Sequence, residues 1–484
     1  MLSTSRISIG VLSFSALLLG LSFAFIPGMT VPAFCLSLAL LPVVLYLLAF
    51  RRDLFYPSLI FLVPLSLNLT MTGDTKADLP AEPLLGLMAL FFSISIITGR
   101  KVDKKFFLHP LSLLLLFELT WMIICAFRSE MPMVSFKRCI VRYSFISVFY
   151  FLFSGWIKNT FSAGKIFILY AAGCIVPVIH GFIFHARFHF TSVSAYLMPR
   201  PFFPEHTIYG ACLAFLIPML VILVFNAKDF GLKGRSLLAL SALALLIICA
   251  EFLSFSRAAW ISLGIAFGLR VLIFFRIRWW MLMLLLFITG IVVWQNSSSI
   301  IETIRQNDAV SNKGGISDHL MSATNLQSDA SNLERINRWK CAIRMAHEKP
   351  VTGFGPGTYQ FIYGRFQSRA DMTRISTFRG TNGHAHSEFF NSLSETGIPG
   401  GLVYLVIMLT VLGYGLKIIY RSKEPARRAV AMGALLGLTT FYVHGFFNAF
   451  LDSDKIAALV FGSIAILVWL DVRERKTIKP VVNA

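Results

Sequence analysis

Two histidines one residue apart, His384 and His386, open the segment HAHSEFFNSLSETGIPG (His384–Gly400). Between Ser387 and Thr396 the apolar residues Phe389, Phe390 and Leu393 fall on one helical face, which predicts a short helix. Gly397 suits a left-handed stop, and Pro399 opposes continuation. His386 then sits at the N-terminal end, where the helix dipole disfavours an imidazolium and keeps the ring neutral near pH 7. A neutral imidazole can take a proton, the property a general base needs. The same position also suits a histidine that only caps the helix. His384 fits a role in holding the loop or a substrate hydroxyl.

Two arginines share the expected face of these histidines. Arg200 lies in MPRPFFPEHTIYG and Arg257 in FLSFSRAAW, each beside an apolar block. An arginine near membrane depth is costly and raises a functional hypothesis. Guanidinium binds phosphate oxygens through paired hydrogen bonds and stays charged at any working pH, so the pair could hold a multiply charged anion. The alternative is snorkelling to lipid headgroups. Upstream, ERINRWKCAIRMAHEKP (334–350) predicts a helix that leads to Gly353, Gly355 and Gly357. This GxGxG does not join a strand to a helix, so a dinucleotide site is excluded.

These residues require a membrane frame. The chain of 484 residues is 56% hydrophobic and only 14% charged, against about 25% charged in soluble domains. About fourteen apolar blocks are long enough to cross a bilayer, near 7–26, 31–50, 54–71, 84–99, 107–127, 139–157, 166–185, 207–226, 236–253, 258–275, 279–296, 401–420, 429–447 and 456–471. The expected fold class is an all-α polytopic membrane protein with about 12–14 transmembrane helices and one large, partly helical outer loop. The first block is expected to be a retained helix, since no small-residue cleavage site follows it. The organisation divides into N-terminal helices (1–295), the loop with the histidines (296–399) and C-terminal helices with a tail (400–484). Alternate loops carry Lys and Arg, among them RKVDKK (100–105) and RSKEPARR (421–428), which places them and both termini in the cytoplasm. The net charge of +20 is therefore largely an orientation signal, and no nucleic-acid partner is expected in a chain this apolar. The seven cysteines form no CxxC or His/Cys cluster, and neither a metal nor a cofactor is expected.

In order along the chain, five motifs resemble the O-antigen ligase and O-antigen polymerase superfamily of bacterial inner-membrane proteins, most closely the ligases. They are Arg200 with its Pro-rich turn, SFSRAAW (254–260), the R-x-x-x-W of Arg335 and Trp339, the P-x-x-G-x-G-x-G from Pro350, and HAHSEFFNSLSETGIPG. Ser387 stands where that family usually has asparagine. The resemblance implies a metal-independent, inverting glycosyl transfer on the periplasmic face. The donor would be a glycan on undecaprenyl diphosphate, and the acceptor a hydroxyl of lipid A-core. Within the superfamily a polymerase or protein O-oligosaccharyltransferase is the alternative. The resemblance assigns His386 as base and Arg200 and Arg257 to the diphosphate. His384, Arg335, Glu395 and Asp452 are left to acceptor binding or structural support. A lipid-glycan transporter is the alternative of another class. Glu118, an acid in the middle of an apolar block, is its best support.

Overall fold

The computed structural model describes residues 52–70, 76–99, 103–190, 192–276, 279–296, 299, 333–373, 376 and 383–478. The blocks expected at 7–26 and 31–50, and the polar first part of the large loop, lie outside the described residues. Three elements open the described chain: α1 (Arg52–Leu62), a hairpin of β1 (Leu67–Thr70) and β2 (Lys76–Leu79), and α2 (Ala81–Ile97). Nine helices among the described residues are long and apolar enough to span a membrane. They are α3 (Pro110–Phe127), α4 (Pro132–Trp156), α5 (Thr160–Arg187), α6 (His206–Phe225), α7 (Gly234–Leu253), α8 (Arg257–Phe274), α11 (Glu388–Arg421), α12 (Pro425–Phe447) and α13 (Asp454–Glu474). Between α8 and α11 run the apolar α9 (Trp279–Gln295) and the loop helix α10 (333–348). The protein is an all-α polytopic membrane protein.

The apolar block expected over 54–71 is helical only to Leu65, because its last residues pair as an antiparallel hairpin in the register Leu67↔Leu79. Side chains and backbone hold it there. Asn68 Nδ2 donates to Asp78 Oδ1 at 2.8 Å, and the Asn68 amide donates to Pro201 O at 2.8 Å. That second bond ties the hairpin to the segment carrying Arg200.

Burial is uneven along the described spans and greatest in the last two. The most apolar stretch of α13 is wholly buried and that of α12 is 83% buried, whereas α7 and α8 expose most of theirs. Small residues explain how α12 gets inside. Gly433 and Gly437 form a G-x-x-x-G, the spacing that lets membrane helices approach closely. A Cβ at Gly433 would stand 2.4 Å from Met219 Sδ, and one at Gly437 would stand 2.6 Å from Phe215 Cε1, so α6 lies directly on the glycine face.

The short helix expected at 387–396 and the span expected at 401–420 meet at a kink within α11, and the helical backbone breaks at Gly397 as expected. Gly397 is left-handed (φ 73, ψ −174), and the helix resumes through Pro399. Such a break frees backbone groups that must be paired inside the protein. Pro399 has no N–H, so Glu395 O loses its helical donor; the Gly355 amide takes that place at 2.8 Å. Ile398 N turns to Pro350 O at 2.8 Å, and Phe354 N donates to Ser394 O at 3.1 Å. Trp121 Nε1, from α3, donates to Thr396 O at 2.9 Å. The glycine-rich segment is therefore the kink's hydrogen-bonding partner.

Gly397→Ala should be destabilising by about 1–3 kcal/mol, from the left-handed backbone and a Cβ 2.3 Å from Val351 O. Gly413→Ala, on the same helix with nothing within 4 Å of its Cβ, is the control and should hold or raise stability. Thermal unfolding of the detergent-purified variants checks both.

Candidate active site

The histidines sit where α10, the start of α11 and the end of α12 meet. Ser387 is the N-cap of α11, so His386 precedes the helix by one further residue. His386 has φ 51, a left-handed value uncommon outside glycine and a form of strain that gathers at functional sites. Its neighbours hold that conformation. Trp339 Nε1 of α10 donates to His386 O at 3.3 Å, and Arg338 Nη1 donates to His384 O at 3.0 Å. Arg338 is itself fixed by Glu334 at 2.9 Å and lies over the Tyr363 ring at 4.9 Å.

The two imidazoles meet edge to face, with centroids 4.5 Å apart. The His386 amide donates to His384 Nδ1 at 3.1 Å. In a neutral ring this puts the His384 proton on Nε2 and leaves that atom a donor. His384 is therefore suited to giving a hydrogen bond. His386 differs: its Nδ1 is buried with no partner, and Asn448, just past α12, has its Nδ2 buried without a partner. Burial, helped by the neighbouring Arg338, pushes His384 down to about 4. Burial also holds His386 well below the usual imidazole range, followed by His384, Arg338 and Arg335. The neutrality expected from the helix dipole is thus present, but its leading cause is removal from water.

Arg335, one turn before Trp339 on α10, faces the same cluster. It lies within electrostatic range of His384, His386, His206 at the start of α6 and His444 near the end of α12. Tyr196 packs edge-on to His206 at 4.3 Å. His444 is buried, and neither of its ring nitrogens has a partner. Among the described residues, no three His, Cys, Asp or Glu side chains gather as a metal set.

Arg200 and Arg257 stand at the same end of the bundle, on either side of the start of α6. Arg257 is exposed and is the first residue of α8. The preceding Ser256 packs on Gly210 of α6, where a Cβ would be 2.8 Å away. Arg200 is exposed, and its Nε donates to Pro204 O at 3.3 Å, two residues before α6 begins. Neither arginine makes a hydrogen bond or ion pair with His384 or His386 among the described contacts. Both guanidinium groups face open space at this end.

The remaining sequence candidates fall on the supporting side. Glu395 accepts from the amides of Gly357 at 2.8 Å and Tyr359 at 3.2 Å, so it grips the glycine-rich segment. Asp452 pairs with Arg138 and, at 3.8 Å, with Arg142 Nη2, both on α4. Arg142 Nη1 in turn stands 3.8 Å from Glu118, which gives the acid in the middle of α3 an internal ionic partner. Sequence reading passed over His206, His444, Asn448, Arg138 and Arg142. The available signal was a polar or ionisable residue inside or beside an apolar block, which is reason enough for attention in a membrane chain.

A bundle of membrane helices whose end gathers a histidine pair, a half-buried arginine and two exposed arginines describes an integral-membrane protein with titratable and cationic groups collected at one end. Residues 242–405, from α7 into α11, match the family model described as O-Antigen ligase. No curated protein matches the chain. The match spans Arg257, Arg335, both histidines and Glu395; Arg200 and Asp452 lie outside it.

The lowered values of both rings set an expected pH profile. A base with a depressed pKa stays neutral, and so active, to lower pH than an ordinary imidazole. The rate should be flat from about pH 8 to about pH 6 and fall only below the usual imidazole range. A rate–pH series with purified protein checks this; an acid limb centred near 6.5 would mean that the base is solvated.

Proposed function

We propose that the protein transfers a glycan from undecaprenyl diphosphate to an acceptor hydroxyl, as an O-antigen ligase, on the periplasmic face of the inner membrane. The family match supports a glycosyltransferase of this superfamily, and the nine membrane-spanning helices fit a lipid-linked donor. The observation that carries the specific reading is the His386 ring, held off water with Nδ1 bare, at the end of the bundle where Arg200 and Arg257 are exposed.

In this reading the diphosphate lies against Arg200 and Arg257. As the bond from the anomeric carbon to the phosphate oxygen breaks, negative charge gathers on the diphosphate and the guanidinium groups stabilise it. The acceptor oxygen attacks the anomeric carbon from the opposite face, which inverts it, and its proton passes to His386. His384, whose Nε2 is a donor, orients the acceptor. Arg335 keeps the ring pair neutral and adds positive charge near the transferring group. No metal enters the step. The proposed acceptor is lipid A-core; a second lipid-linked glycan would make the protein a polymerase. The two activities are separated by the product that accumulates without the protein: finished polymer on the carrier for a ligase, single repeat units for a polymerase.

His386→Ala should abolish most transfer and leave donor binding intact, because the arginines are untouched, and His384→Ala should be milder. Donor-lipid binding paired with single-turnover transfer measures both, and near-normal transfer by His386→Ala would sink the assignment. Arg257→Lys and Arg200→Lys keep the charge and lose the paired fork. Each should lower transfer at least about tenfold, near 1.4 kcal/mol of barrier. Wild-type rates in both lysine variants would remove the diphosphate from this position.

A further inference from the structure

The turn that carries Arg200 is closed by its own backbone: the amides of Phe202 and Phe203 both donate to Pro199 O at 3.0 Å. Arg200 Nε donates to Pro204 O at 3.3 Å, so the side chain is tied to the same turn and moves with it. Contacts at the base of the turn fix it to the rest of the protein. Phe203 is fully buried, and the Asn68 amide of β1 donates to Pro201 O at 2.8 Å. That amide serves the turn and not β2, so β1 stands between its partner strand and the residues around Arg200.

A two-stranded hairpin is marginal by itself and needs an anchor. Asp78 of β2 supplies one. It lies opposite Asn68 in the register and is 5% exposed, and its Oδ1 accepts from Asn68 Nδ2 at 2.8 Å. Its Oδ2 stands 3.8 Å from Nζ of Lys455, the wholly buried second residue of α13. Lys455 donates to Val63 O at 2.9 Å and Ser66 O at 3.1 Å, just before β1 begins. A second acid, Asp454, has its Oδ1 4.0 Å from the same ammonium. The hairpin is thus pinned to the bundle by hydrogen bonds made away from water, where they are strong and costly to lose. The contacts run without a gap from Lys455 to Asp78, Asn68 and Pro201, the neighbour of Arg200.

We propose that Asp78 is a positioning residue for Arg200: by holding the Asn68 side chain it aims the Asn68 amide at Pro201 O, and so fixes where the guanidinium stands at the end of the bundle. This rests on the diphosphate role of Arg200 proposed above. Asp78 acts through Asn68 and does not touch the reacting atoms. Its task toward Asn68 is that of a hydrogen-bond acceptor, and its charge is secondary.

The test uses the full-length protein in detergent or nanodiscs. Asp78→Ala should lower kcat/KM for the donor lipid at least about tenfold, the scale expected when a group that binds substrate is misplaced by about an ångström. Asp78→Asn keeps an oxygen for Asn68, and Asp454 leaves Lys455 an acid, so this variant should recover most of that loss. Asn68→Ala removes the donor and leaves Asp78 and Lys455 in place. It should match Asp78→Ala, and it replaces that variant in every comparison where Asp78→Ala does not accumulate. In an Arg200→Ala background neither substitution should lower the residual transfer further, because the residue they position is gone. A merely structural role would lower transfer in both backgrounds. A second readout is independent of transfer: hydrogen exchange at the Asn68 amide should be slow in the wild type and in Asp78→Asn, and faster in Asp78→Ala and Asn68→Ala. An Asn variant as poor as Ala at position 78, a further loss in the Arg200→Ala background, or unchanged exchange in both alanine variants would each overturn the proposal. If Arg200→Ala binds and transfers the donor normally, the diphosphate role of Arg200 fails, and the exchange comparison still decides whether Asp78 holds its turn.

Discussion

A helix broken inside an apolar bundle must find partners for the backbone groups it releases, and most of this architecture follows from one such break. At Gly397–Pro399 the carbonyls of Ser394, Glu395 and Thr396 leave the α11 ladder and are taken by Phe354 N, Gly355 N and Trp121 Nε1. With no water to substitute, each lost partner would leave a buried polar group at a cost of about 1–3 kcal/mol. The demand therefore fastens the 350–357 segment against the bundle, and α10 comes with it. Arg338 and Trp339 on α10 then hold the carbonyls of His384 and His386. Residues far apart in sequence are brought to one place by the needs of three carbonyl oxygens. A latch at the rim reinforces this, with Glu130 bonded to Lys349 at 2.8 Å and Arg365 at 2.6 Å.

The chemistry of the site is set by where charge is allowed and where it is refused. Positive charge is fixed in guanidinium groups, which burial does not neutralise. The imidazoles are kept neutral by the same lack of water, and the nearby arginines push in the same direction. One environment thus keeps the rings neutral beside groups that stay charged. Behind it, Arg138 and Arg142 are matched by Asp452 and Glu118. That second set of charges is largely satisfied internally, whereas Arg200 and Arg257 remain open at the end of the bundle.

Much of the fold was legible in the sequence because hydropathy reports on the bilayer directly. Eight of the expected blocks, from 107–127 to 456–471, lie on α3–α8, α12 and α13. Errors arose where an apolar residue type outran its backbone role. Leu67 to Thr70 are apolar enough to extend a helix but pair as a strand because a partner, Lys76–Leu79, lies just beyond a turn. Gly397 and Pro399 were visible as a break, yet whether a break ends a helix or bends it depends on donors more than forty residues upstream. The site was half legible. His386 and Arg335 stood out by motif. Glu388, whose Oε1 accepts the Phe450 and Leu451 amides, did not, because nothing local distinguishes a glutamate that holds a distant loop from one that begins a helix. Glu118 looked like an isolated acid only because its partner Arg142 sits on another span.

The most buried of the nine described spans, α13, also comes last of them along the chain. Until it inserts, α6 and α12 lack a neighbour, and the segment bearing Asn448, Phe450 and Asp452 has no second anchor. Both histidines precede α11 and so are made before that anchor exists. A chain cut before α13 would carry both histidines without that anchor. The packing of this end of the bundle thus waits on α13, the span its neighbours enclose most completely.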